Sequence, residues 1–188
     1  MRIPSDRQIR DWHERFAPDA SAFELVWTHC RIVCELAEEL HTDGNLALIR
    51  AGALLHDIGV HRLGAGDHYI RHGLLGEHLL AELGLPAAIS RFCSHHTGVG
   101  VTAADILDQH LPLPPGDYLA ETPEEALVMY ADKFHSKTTP PVFVSPETYA
   151  LKVARFGPGK PALFAALRAR YGDPDLAAAA ERHGHPVI

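Results

Sequence analysis

Cysteine is scarce in this 188-residue sequence: Cys30, Cys34 and Cys93 are all there are. Three scattered thiols exclude a disulfide framework. Cys30 and Cys34 stand one helical turn apart, but two thiols without a second pair make a poor zinc site, so they read as reduced core residues. Long apolar runs are missing too, and none approaches the roughly 20 residues that a membrane span needs. Met1 to Phe16 is charged and has no apolar heart, so no secretory signal is expected and the expected compartment is the cytoplasm. Positive charge is not in excess. Lys and Arg number 17 against 24 Asp and Glu, a formal net charge of −7. That argues against a general nucleic-acid or anionic-membrane surface and leaves room for a local cationic site. Alternation of period two is confined to Val142-Phe143-Val144, which excludes an extended sheet. What remains is 46% hydrophobic and 22% charged, the make-up of one ordinary globular domain over residues 1–188, of fold class all-α.

Histidine is the residue in abundance, with fourteen copies. Seven of them fall between His56 and His96. The organising stretch is Ile49-Arg50-Ala51-Gly52-Ala53-Leu54-Leu55-His56-Asp57-Ile58-Gly59, an apolar helical run that ends on a histidine and an aspartate. A carboxylate at that position is costly to bury unless something neutralises it. A divalent metal would do so, since neutral imidazole and carboxylate oxygen are both ligands. A buried histidine bonded to its neighbour is the plainer alternative.

Around that stretch the chain reads as a series of helices. Ser5 to Gln8 is a capping box opening a first helix with Ile9, Trp12 and Phe16 inward, and Ser21 to Glu24 is a second. The helix after it carries Phe23, Val26, Cys30 and Val33 at helical spacing, and His29 lies among apolar neighbours beside them. The next helix is expected over Leu46 to Ile58, closed by Gly59 in the left-handed conformation, with a loop over 59–68. Tyr69 to Leu83 and Ala87 to His96 follow, the first with His72 near its start and the second ending on His95-His96. Thr102 to Gln109 is a short helix. Thr122-Pro123-Glu124-Glu125 opens another, which places Asp132 in an apolar row where it needs a metal, Lys133 or an arginine as partner. Ser145-Pro146, Pro161 to Tyr171 and Asp173 to His183 read as three more helical segments. His78 and His110 read as ordinary polar residues.

Taken in order, His29, His56-Asp57, His72, His96 and Asp132 resemble the pattern of the HD-domain superfamily of metal-dependent phosphohydrolases, over roughly residues 20–140. Leu54-Leu55-His56-Asp57-Ile58-Gly59 has the superfamily's signature form. Ile70-Arg71-His72-Gly73 and His96-Thr97-Gly98 resemble its two-metal branch, which includes symmetrical diadenosine-tetraphosphate hydrolases, and small HDIG-type proteins carry similar counterparts of Gly98-Val99-Gly100-Val101 and Pro114-Pro115-Gly116-Asp117-Tyr118. The resemblance implies an HD-type helical bundle with a metal site in its core, followed by a helical extension over 141–188. It implies that His29, His56, Asp57 and Asp132 bind one divalent transition metal. His72 and His96 would complete a second site with Asp57 bridging, and His95 is an additional candidate. Iron, manganese, cobalt and zinc all suit such ligands.

The implied activity is hydrolysis of a phosphoester or phosphoanhydride, with a nucleotide as the expected small-molecule partner, by a metal-bridging hydroxide. Many relatives carry a lysine shortly after the signature glycine. Here the run is Gly59-Val60-His61-Arg62, so either His61 or Arg62 stands in for it or the substrate lacks that phosphate contact, and His61, Arg62 or Lys133 would neutralise a second phosphate or protonate the leaving oxygen. The same ligand set also serves mixed-valent di-iron oxygenases and non-catalytic modules that bind a nucleotide or a protein partner. Neither nucleic acid nor membrane is an expected partner, and the oligomeric state stays open.

Overall fold

The Ser5 side chain accepts the Gln8 amide and Gln8 reaches back to the Ser5 amide, so helix α1 spans Asp6–Phe16. The structure is a computed structural model and describes residues 2–188. Helix α2 (Ala20–Glu39) begins ahead of the expected Ser21 cap. The Asp19 carboxylate, just past Pro18, accepts the Ala22 amide at 2.8 Å and takes the capping role. There follow α3 (Leu46–Leu55), α4 (His72–Glu82), α5 (Ala87–Ser94), α6 (Ala103–Asp108) and α7 (Pro123–Ala131). The extension adds α8 (Pro146–Val153), α9 (Lys160–Tyr171) and α10 (Leu176–His183). Among the described residues the one sheet is a short antiparallel pair, β1 (His135–Ser136) with β2 (Val142–Phe143). The fold is all-α, as expected.

Helix α4 starts at His72 after a 3-10 turn over Tyr69–Arg71, α5 stops at Ser94 and α10 starts at Leu176, and two further departures lie beside the His-Asp pair. Helix α3 stops at Leu55 rather than Ile58, and Ile58–Arg62 continues as a tighter 3-10 turn where a loop was expected. Gly59 is not a left-handed cap. A side-chain carbon there would sit on the His72 carbonyl oxygen and the Gly76 amide nitrogen, so glycine is required for close approach of α4. Gly52 serves the same purpose within α3, where an added carbon would collide with the Phe92 ring. These two contacts bring the starts and ends of α3, α4 and α5 together.

The core is continuous from Ile32, Leu36, Ile49 and Leu55 through Phe92 to Tyr130 and Phe134. The extension joins it: Phe164 and Tyr171 on α9 pack against Tyr130 with ring centroids 5.7 and 5.8 Å apart. Each such side chain, fully buried, contributes about 1.5–3 kcal/mol. The Tyr130 hydroxyl donates to the Gly172 carbonyl at 2.8 Å, which ties α9 to the helix that presents Asp132. The C-terminal residues run beside β2, with Phe143 donating to Pro186 and Ser145 to Ile188, both at 2.8 Å. Cys30, Cys34 and Cys93 are free and buried, and burial pushes the Cys34 thiol up to about 12. No helix among the described residues is long and apolar enough to cross a membrane.

Candidate metal centre

Six side chains from five places in the chain meet in the core. His29 comes from the middle of α2, His56 and Asp57 from the end of α3, His72 from the start of α4. His96 follows α5, and Asp132 caps α7. All four imidazoles and Asp57 are buried, and the Asp132 side chain is 15% exposed. They form two groups that share Asp57. On one side His29 Nε2 lies 3.0 Å from Asp132 Oδ1, 3.2 Å from Asp57 Oδ2 and 3.2 Å from His56 Nε2. On the other, His72 Nε2 lies 3.2 Å from Asp57 Oδ1 and 3.0 Å from His96 Nε2. Each set holds its candidate ligand atoms within 4.8 Å of one another.

The back of each ring decides what its front can do. His56 Nδ1 lies 2.6 Å from the Ala53 carbonyl, His72 Nδ1 2.6 Å from that of Tyr69, and His96 Nδ1 3.0 Å from that of Phe92. A carbonyl oxygen only accepts, so each Nδ1 carries the hydrogen and each Nε2 of the neutral ring presents a lone pair. His29 Nδ1 meets another imidazole instead, His135 Nδ1 at 2.8 Å, and His135 Nε2 meets His185 Nδ1 at 3.0 Å. If His29 Nε2 is to be a lone pair, hydrogens along this chain must all point outward from His29 to His185.

With the rings neutral, their Nε2 atoms face the oxygens of Asp57 and Asp132 as acceptors facing acceptors. Asp57 Oδ1 is buried without a hydrogen-bond partner. Four imidazole nitrogens and two carboxylates converging in a water-poor core repel one another unless cations lie among them. That donor set fits one or two divalent transition ions, with the hard carboxylates and borderline imidazoles they favour. The outward-facing hydrogen bonds are the supporting contacts that metal-bound histidines use.

Two lysines stand beside the carboxylates. Lys137 pairs with Asp57 Oδ2 and lies over the Tyr69 ring, 5.8 Å from its centroid. Lys133 donates to Asp132 Oδ2 at 2.7 Å and to the His96 carbonyl at 3.0 Å. Burial opposes the charge on Asp57, yet Lys137 and His56 outweigh it and hold the carboxyl well below its usual range. Asp132 is held down in the same way, against burial, by Lys133 and His29. Burial also works against a proton on His56, but Asp57 prevails and raises it. His72 has no such surplus, and burial takes it down to about 4. Burial lowers His96 as well.

The remaining candidates fall elsewhere. His61 lies against α1, with Nε2 3.1 Å from His13 Nδ1, and does not line the cavity at the centre. Arg62 reaches outward to Glu82 at 3.2 Å and over the Phe16 ring. The 3-10 turn that replaces the expected loop aims both residues at α1 and α4, so the expectation that one of them stands where relatives carry lysine is not met. His95 turns to Ser94 Oγ at 2.5 Å and to the Tyr118 ring, away from both groups. Lys133 serves Asp132, one of the partners expected for it. Lys137 and His135 were missed. Lys137 precedes a proline-rich break and looks like a solvated residue in the sequence. His135 lies 106 positions from His29, and only the β1 turn after α7 brings the two rings together.

Comparison with known proteins bears on this arrangement. Residues 26–137 match the family described as HD domain. An uncharacterized protein of Methanocaldococcus jannaschii is 39% identical over 116 residues, which cover 58% of this chain and 65% of that protein. A tRNA (cytidine(56)-2'-O)-methyltransferase of Picrophilus torridus is 39% identical over 118 residues, 62% of this chain and 33% of the enzyme. The corresponding protein of Thermoplasma volcanium is 33% identical over 113 residues, 59% and 32% of the two chains. The chain therefore spans less than two thirds of the length of each of these relatives. Among solved structures, the HD domain of the L. monocytogenes phosphodiesterase PgpH aligns over 96% of this chain and 100% of its own, with TM-score 0.55 and 17% identity. The same domain in complex with cyclic-di-AMP aligns over 94% and 97%, with TM-score 0.55 and 16% identity. At such identities the likeness is one of fold.

Proposed function

The chain belongs to the HD-domain family, and from that premise we propose that it is a metal-dependent phosphohydrolase acting on a phosphoester or phosphoanhydride of a nucleotide. The observation that carries this reading is the convergence of imidazole and carboxylate ligand atoms on Asp57, whose Oδ1 is buried without a partner, open on one side to a cavity of about 470 Å³. His29, His56, Asp57 and Asp132 would hold one divalent ion, and Asp57, His72 and His96 a second. Such ions, when bound, polarise phosphate oxygens and make water a nucleophile near neutral pH. The protein's own residues do the rest. Asp57 contributes one oxygen to each group, so it sets their spacing. Lys133, anchored on the His96 carbonyl, holds Asp132 Oδ2 and leaves Oδ1 toward His29. Lys137 lines the cavity and offers its ammonium to a phosphate oxygen. The Lys137 ammonium lies over the face of the Tyr69 ring, 5.8 Å from its centroid, which helps to position it.

The nucleotide part of the reading draws on the PgpH domain, a neighbour in fold whose complex holds cyclic-di-AMP. The methyl transfer named for the archaeal relatives is not carried over, because the match takes in only a third of their length. The test begins with elemental analysis of the protein as purified, then phosphate release from a panel of nucleotides with manganese or cobalt added. Metal-dependent release under anaerobic conditions is the expected result. Turnover that requires dioxygen would instead place the protein with the di-iron oxygenases, and ligand binding without turnover in either assay would make it a binding module.

A further inference from the structure

Behind the wall formed by Tyr69, Asp132 and Lys137 lies a second hollow, of about 490 Å³, that differs in character from the cavity at the centre. The cavity is apolar along Val99, Val101 and Leu111, and the cation at its far end is engaged: Lys160 donates to Asp105 at 2.5 Å and to the Gly100 carbonyl at 2.7 Å. The second hollow is basic. Lys133, Lys137, Lys152 and Arg155 line it against a single carboxylate, Asp132. Lys133 holds Asp132 Oδ2, and Asp132 Oδ1 faces His29, so that carboxylate is committed to the centre. Lys152 on α8 and Arg155 in the turn after it make no ion pair with any described residue. Arg155 is nevertheless held in place. Its guanidinium lies over the Phe156 ring, 5.2 Å from the centroid, a contact that leaves its N–H groups free. The Ser136 and Tyr149 hydroxyls line the same hollow without a hydrogen-bond partner among the described residues. Burial raises the Tyr149 hydroxyl against the pull of Lys133 and Arg155, so it stays a donor. On a chain of formal charge −7, two unpaired cations and two free hydroxyls in one hollow form a local anion site.

We propose that the basic hollow is a binding site for a tetrahedral oxyanion, separate from the metal centre, and that its occupant is the orthophosphate released there. The site stands on its own residues, and the identity of its occupant rests on the phosphohydrolase reading. A phosphate leaving the centre has two ways out. Through the apolar cavity it would shed water against Val101 and Leu111 and meet no free cation, which is costly for a doubly charged ion. Past Lys137, which lines both hollows, it exchanges one ammonium for the next and reaches Lys152 and Arg155. An uncharged organic product has the opposite preference and suits the apolar side. The basic hollow is roomy enough to leave the ion part of its hydration, so binding is loose, with a Kd of about 1 mM, as release requires.

Calorimetry with sodium orthophosphate tests the site. Chelator-treated protein should still bind phosphate, with sulfate competing, and Lys152→Ala/Arg155→Ala should weaken that binding about tenfold or more. Arg10→Ala/Arg170→Ala removes the same charge from surface pairs with Glu14 and Asp43, neither beside the hollow, and should leave the affinity within about twofold. In zinc-loaded protein, Lys152→Ala/Arg155→Ala should lose the phosphate in the hollow and keep the one at the centre. Binding that appears only with metal, that persists in the Lys152/Arg155 variant, or that falls equally in the Arg10/Arg170 variant would overturn the site. Turnover of p-nitrophenyl phosphate tests the occupant. In Lys152→Ala/Arg155→Ala, phosphate followed by a fluorescent phosphate sensor should appear after nitrophenolate, whereas the two appear together in the unaltered protein. Simultaneous release in the variant would overturn orthophosphate as the occupant while leaving a phosphohydrolase in place. If no phosphate ester is turned over under any metal loading, the phosphohydrolase reading fails, and the calorimetry still decides whether the hollow binds an oxyanion.

Discussion

The two halves of the centre use the same residue types and are supported in different ways. Around Asp57 Oδ2 stand His29, His56 and Asp132, with a lysine at each carboxylate. Around Asp57 Oδ1 stand only His72 and His96, each braced by a main-chain carbonyl of its own helix region. The first half is richer in protein ligands, and its Asp132 is the partly exposed member. The second is poorer and faces the cavity. A site saturated by protein ligands holds its ion, whereas one with open positions can admit substrate or water. The contrast also separates the histidines braced by main-chain carbonyls from His29, which is braced by the rings of His135 and His185.

The most severe break is Asp57→Ala, which removes the one group common to both halves. Metal content should fall from about two ions per chain to near none, with activity at background, while circular dichroism shows the helices retained. A full metal complement in that variant would refute the shared role. Next come His72→Ala and His96→Ala, each expected to lose the ion of the open half and keep the other, so that elemental analysis reads about one ion per chain. Loss of both ions would mean the halves do not bind separately. A smaller effect is expected from His135→Phe, which removes the acceptor behind His29 and keeps an aromatic ring. Affinity for the ion on the His29 side should weaken about 10–100-fold, the usual cost of losing such a partner, and competition with a chelator measures it. His185→Ala should cost less, because His185 is only partly buried. An equal loss at both ions would show that His135 acts through general stability.

The smallest effect concerns His13, a histidine outside both halves. Burial takes it from an ordinary 6.5 down to about 3, despite its contact with the Leu54 carbonyl at 2.9 Å. The unfolded chain therefore takes up that proton first as pH falls below 6.5, and the folded state does not until about pH 3. Stability tied to His13 is complete above 6.5 and declines through this window by about 1.4 kcal/mol per pH unit. In His13→Gln the slope of unfolding free energy against pH, from 6.5 to 4, should be shallower by that amount. An unchanged slope would mean that His13 is not held neutral.

Much of the fold could be read in the chain by local rules. Ser5, Thr102, Thr122 and Ser145 each cap the helix they announce, because a cap is a bond between residues three apart. Gly59 was misjudged for the converse reason. Its lack of a side chain answers to the His72 carbonyl and to Gly76, contacts that no local pattern contains. Likewise His61 and Arg62 were placed by their position after the signature, and a change from loop to 3-10 turn rotated both away.

By itself the sequence determined the helical class and several of the helix starts, since those follow from spacing and capping within short stretches, and the resemblance to the HD-domain superfamily marked the six side chains that converge. Only the tertiary structure decided that Lys137 meets Asp57, that His135 and His185 stand behind His29, and that a basic hollow and an apolar one adjoin the same centre. These depend on distances between segments 50 to 106 residues apart. Such distances are set by how helices pack over one shared core, and no single helix encodes them.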